Sequence, residues 1–75
     1  MKPLMIRQLW QLVESSPATA LLRLDDASLV QSLLHQYDYR QPLNAEETSL
    51  LSTYIRARLA LIRDLAEERT ISAVQ

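Results

Sequence analysis

The 75-residue chain predicts an all-α domain, a bundle of three to four helices that ends in a long amphipathic helix. Three observations lead there. Glycine is absent, while leucine occurs fifteen times and phenylalanine not at all; strand-rich folds and their tight turns lean on glycine for positive φ. Apolar residues recur at helical spacing in three separate segments. Polar helix-start signals stand ahead of the second and third of these segments.

The first helix is predicted to begin near Pro3. Met5, Ile6, Leu9, Trp10, Leu12 and Val13 share one face, with Arg7, Gln8, Gln11 and Glu14 opposite. It should stop before Ser15-Ser16-Pro17, because proline disfavours α geometry in the residue ahead of it. From Pro17 to Leu24 two readings stand: a short helix through Leu22, or an extended linker docking Leu22 and Leu24 into the core. The next clear helix spans about Ala27 to Gln36, capped by Asp25 or Asp26. Its buried stripe is Leu29, Val30, Leu33, Leu34 and Tyr37, and His35 points away from it.

Asp38 to Leu43 reads as the main loop. Asn44 followed by Glu47 has capping-box spacing, and the helical pattern then continues from Ala45 to about Arg69. Residues 1–69 therefore form one helical domain, and 70–75 a tail expected to fray. A 25-residue helix is about 37 Å long, against about 15 Å for a helix over Ala27–Gln36. Either the shorter elements share its length between them or a second chain covers part of it, and with the marginal core this mismatch is the main argument for a homodimer.

Size points the same way. A fold this short buries only about 60–65% of its unfolded surface, and small folds usually add disulfides, a metal or self-association. The chain has no cysteine and one histidine, His35, so no disulfide and no metal site is expected. A net charge of −1 gives no general pull toward nucleic acid or an anionic membrane. No run of about 20 apolar residues exists to span a bilayer. Polar residues Arg7, Gln8, Gln11 and Glu14 interrupt any export signal. The expected compartment is the cytoplasm. The absence of glycine also removes the glycine-rich nucleotide motifs, and no cofactor is expected.

Arg58 is the residue out of place. At about 100° per residue it falls near the middle of an apolar arc made by Leu51, Tyr54, Ile55, Leu61, Ile62 and Leu65. Its stem can lie on apolar surface, or its charge can pair internally with Asp25, Asp26 or Glu14. Alternatively it marks an interface, gripping a carboxylate or a helix end on a second chain, or it holds a small anion. The interface set expected on this reading is Trp10, Leu51, Ile55, Arg58, Ile62 and Leu65.

Other candidates have simpler readings. Arg56 and Arg63 share the polar face, with Glu67 four residues after Arg63, as solvated charges do; phosphate contact is the alternative. Asp25-Asp26 suits capping better than acid–base work, since adjacent side chains need not converge. Tyr37 and Tyr39 flank Asp38, where a hydrogen-bonded brace is expected, and His35 lacks companions for catalysis. The stretch 26–69 allows a helix-turn-helix only loosely, with a long glycine-free loop and an oversized second helix.

The phrases "LWQLVE", "LLRLDDASLVQSLL" and "YIRARLALIRDLAEER" resemble a group of short all-helical cyanobacterial proteins with no assigned activity, over most of residues 9–69. The resemblance implies a bacterial cytoplasmic setting and a small helical domain, and assigns no site residue. The expected function is a non-enzymatic interaction or adaptor module that self-associates or binds another helical protein. The alternative is a small nucleic-acid-binding or transcriptional regulator.

Overall fold

A computed structural model describes residues 2–74, with side chains described as far as Thr70. The described residues form five helices: α1 (Pro3–Ser15), α2 (Ala18–Arg23), α3 (Asp26–Arg40), α4 (Ala45–Ala57) and α5 (Leu59–Val74). The all-α bundle is as expected. The short helix within 17–24 makes the fourth of the expected three to four, and the break in the predicted long helix makes the fifth.

α1 starts on Pro3, whose missing N–H costs nothing in a first turn. It ends where Pro17 requires, and the buried Ser16 hydroxyl donates to the Leu12 carbonyl at 2.8 Å. α2 is the short helix reading of 17–24, with Leu21 as its buried anchor. In α3 the five stripe residues Leu29, Val30, Leu33, Leu34 and Tyr37 are all buried. Asp25 stands at the N-cap position without closing a capping bond. The neighbouring Ser28 hydroxyl, more than any other group, holds its carboxyl below the usual carboxylate range.

α3 runs to Arg40, past the expected stop near Gln36, so the loop to α4 shrinks to residues 41–44. Asp38 sits in the last turn of α3, and its Oδ1 accepts the Leu43 N–H at 2.8 Å. The capping box forms as predicted: Glu47 N–H donates to Asn44 Oδ1 at 2.7 Å, and Asn44 N–H donates to Glu47 Oε1 at 3.1 Å.

The expected single helix from Ala45 to Arg69 is interrupted at Arg58. Its φ and ψ are −114° and 9°, and its N–H bonds Ile55 three residues back at 3.0 Å. This is one tightened turn, after which the ladder resumes with Ile62 N–H to Arg58 O at 2.9 Å. No proline or glycine lies nearby. The cause is tertiary: α4 packs along α3 whereas α5 packs along α2, so the chain must change direction between them. The two halves are 13 and 16 residues long, close to the lengths of α1 and α3. The length mismatch that favoured a second chain therefore disappears. The tail expected to fray from Thr70 continues as helix to Val74; Gln75 lies outside the described residues.

Leu9, Leu12, Val13, Leu21, Leu29, Val30, Leu33, Leu51, Ile55 and Ile62 fill one core that reaches all five helices. Tyr37 closes one side of it, donating its phenol to Gln8 Oε1 at 2.7 Å. This is the expected brace, made with α1 rather than locally. Burial raises the Tyr37 phenol above its ordinary value of 10.0, and the Glu47 carboxylate adds to the shift. The folded state therefore favours the neutral phenol. Its stabilisation is complete below about pH 10 and is lost as pH rises through the folded value. Urea melts of the native chain should lose stability more steeply above pH 10 than those of Tyr37→Phe.

Candidate functional site

The outer side of α4 and α5 is the part of the molecule that the core leaves unfinished. The predicted arc is split along its length. Leu51, Ile55 and Ile62 are 0% exposed and belong to the core. Leu61 and Leu65, one helical step around, are 46% and 38% exposed, and Leu50, which is not part of the predicted arc, is 45% exposed. The fold has rotated the helix so that only half its apolar surface faces inward. Three of the six expected interface residues, Leu51, Ile55 and Ile62, are thus core residues that no partner can reach in the folded chain. Leu65 and Arg58 remain outside, and Trp10 is half-buried.

Arg58 stands on the seam between the buried and exposed halves. Its guanidinium carbon sits 4.8 Å from the centre of the Tyr54 ring, a cation–π stack. The Tyr54 hydroxyl accepts the Trp10 indole N–H at 3.0 Å. Trp10, Tyr54 and Arg58 thus form a short chain that ties α1 to the break between α4 and α5. Arg58 forms no pair with Asp25, Asp26 or Glu14, contrary to the internal pairing considered from sequence. Its answer to an apolar arc is to leave the core and lie on an aromatic face.

The internal cation is Arg63, which sequence reading placed among the solvated charges. It donates to the carbonyls of Leu21 at 3.0 Å and Leu24 at 2.9 Å, with a longer bond to Leu22 at 3.5 Å. It also meets Asp26 Oδ1 at 2.8 Å, in place of the expected pairing with Glu67. Arg69 does the same for α1, donating to Ser16 O at 2.6 Å and Val13 O at 3.3 Å. Both arginines fill the positions where a helix end needs donors and a cation suits the dipole. The one signal available in the sequence was indirect: helices that end without glycine must satisfy their last carbonyls by other means.

This placement takes Arg63 out of the exposed row it was expected to share with Arg56. Arg56 is exposed, but Arg63 is turned toward α2 and occupied. The 41–44 loop is short enough for a helix-turn-helix, yet the first turn of α4 carries Glu46 and Glu47, where a reading helix would approach phosphate. His35 is exposed on α3, in a shallow open groove shared with Asp38, Asn44 and Thr48. Among the described residues, no cluster of three or more metal-ligating side chains occurs, and no helix is long and apolar enough to cross a membrane. No protein-family model matches the chain, and no curated protein or solved structure is significantly similar to it.

Proposed function

We propose that the protein is a non-enzymatic interaction module that self-associates through the outer half of the α4–α5 arc. The observation that carries the reading is the split arc: Leu50, Leu61 and Leu65 stand exposed on helices whose adjacent residues are fully buried. Scattered exposed leucines are ordinary, but Leu61 and Leu65 lie one helical turn apart and form a continuous ridge. A ridge of this kind fits the groove of another helix. The setting we infer with it is the bacterial cytoplasm, which rests on the sequence resemblance and the lack of cysteine.

The exposed area is small, so the association is expected to be weak and reversible. Sedimentation velocity from low micromolar to millimolar concentration should show the average mass rising toward that of a dimer, with little change on adding salt. The single tryptophan, Trp10, is bonded to Tyr54, on whose ring Arg58 lies, so its fluorescence should follow the same transition. A chain that stays monomeric throughout, or that instead binds duplex DNA with steep salt dependence, would overturn the proposal.

A further inference from the structure

The outer strip of α5 is self-complementary, and this defines how a second copy would lie on it. The exposed residues along the strip are Arg58, Leu61, Leu65 and Glu68. Leu61 and Leu65 lie two residues on either side of position 63, and Arg58 and Glu68 lie five on either side. Read forward, the strip is cation, leucine, leucine, anion. Read backward, it is anion, leucine, leucine, cation.

Leu61, Leu65 and Glu68 fall within about 60° of one another around α5. Arg58 immediately precedes α5, seven residues or about two helical turns ahead of Leu65, and is exposed. Arg63 lies at the centre by number and would confront its own copy if it pointed outward. Its bonds to Leu21, Leu24 and Asp26 turn it the other way.

We infer that two copies pair through α5 in antiparallel fashion about a two-fold axis level with position 63, Arg58 of each chain meeting Glu68 of the partner subunit and Leu61 meeting the partner's Leu65. This rests on the self-association reading and adds the register, the direction and the polar contacts. A two-fold interface must match a surface to itself, and antiparallel docking is the arrangement in which this strip does so. Parallel docking in register would set Arg58 against Arg58 and Glu68 against Glu68, which is repulsive. The apolar pair supplies the contact and the two ion pairs set the register.

Charge reversal tests it in the whole chain. Because each reversal acts twice in a symmetric pair, R58E and E68R should each weaken self-association about tenfold. An equimolar mixture of the two variants restores both ion pairs across chains and should associate within about threefold of the native protein. Far-UV circular dichroism checks that each variant is folded. Should R58E lose helicity, E68K compared with E68Q carries the same test, the lysine weakening association more. Native self-association that ignores both reversals, or a mixture as weak as its components, overturns this pairing while leaving self-association standing. A mixture much tighter than the native protein indicates parallel docking and also overturns it. A native chain that is monomeric at every concentration overturns both proposals.

Discussion

Ile62→Ala is expected to lower unfolding free energy by about 3 kcal/mol, while Leu61→Ala at the next position lowers it by less than about 0.5 kcal/mol. Ile62 is fully buried, so truncation removes methylene groups from a packed site and leaves a cavity. Leu61 is 46% exposed and loses little that water had not already claimed. For a 75-residue domain, with total stability of roughly 4–11 kcal/mol, the first substitution is severe. Denaturant melts of the two variants decide the matter. Equal costs would mean that the arc is not divided between core and surface as described. On the proposed self-association the order reverses, Leu61→Ala weakening association while leaving the fold intact.

Arg63→Ala is expected to cost about 2–3 kcal/mol, which for a domain of this size lowers Tm by about 10–20 °C. The loss comes chiefly from the α2 carbonyls of Leu21 and Leu24, which would be left without their donor. The Asp26 pair contributes less because that carboxylate is well exposed. Arg63→Lys should recover only part of the loss, since one ammonium cannot span the separated acceptors that a guanidinium fork reaches. Arg56→Ala, on the open face, should change Tm little. Thermal melts of the three variants together check the assignment, and it fails if Arg63→Ala is no worse than Arg56→Ala.

These two residues mark what the sequence could and could not reveal. The stripe of α3, the first helix with its stop at Pro17, and the Asn44–Glu47 box depend on spacing and local chemistry, and all three are found in the structure. The break at Arg58 has no local cause. Its neighbours are ordinary helix formers, and the turn arises because α4 and α5 pack on different helices. Periodicity identified the apolar arc correctly but could not say which half faces inward, because rotation about a helix axis is decided by what packs against it. The expected interface therefore included three core residues, Leu51, Ile55 and Ile62, together with two outer ones, Leu65 and Arg58. Arg63 was missed for the same reason: its partners lie about forty residues away along the chain.

The reach of Arg63 and Arg69 back to α2 and α1 also bears on when the protein can fold. During synthesis the first two helices emerge long before α5, and their last carbonyls have no glycine turn to close them. Local bonds close part of each end, Ser16 N–H on Val13 O and Leu24 N–H on Ala20 O, and Arg63 and Arg69 supply the remaining donors from α5. A nascent chain ending before residue 63 would carry both helices without these long-range donors, and their ends would be completed only once α5 packs against them. Among these helices the order of completion thus runs against the order of appearance: α5 completes the ends of helices that precede it in the chain.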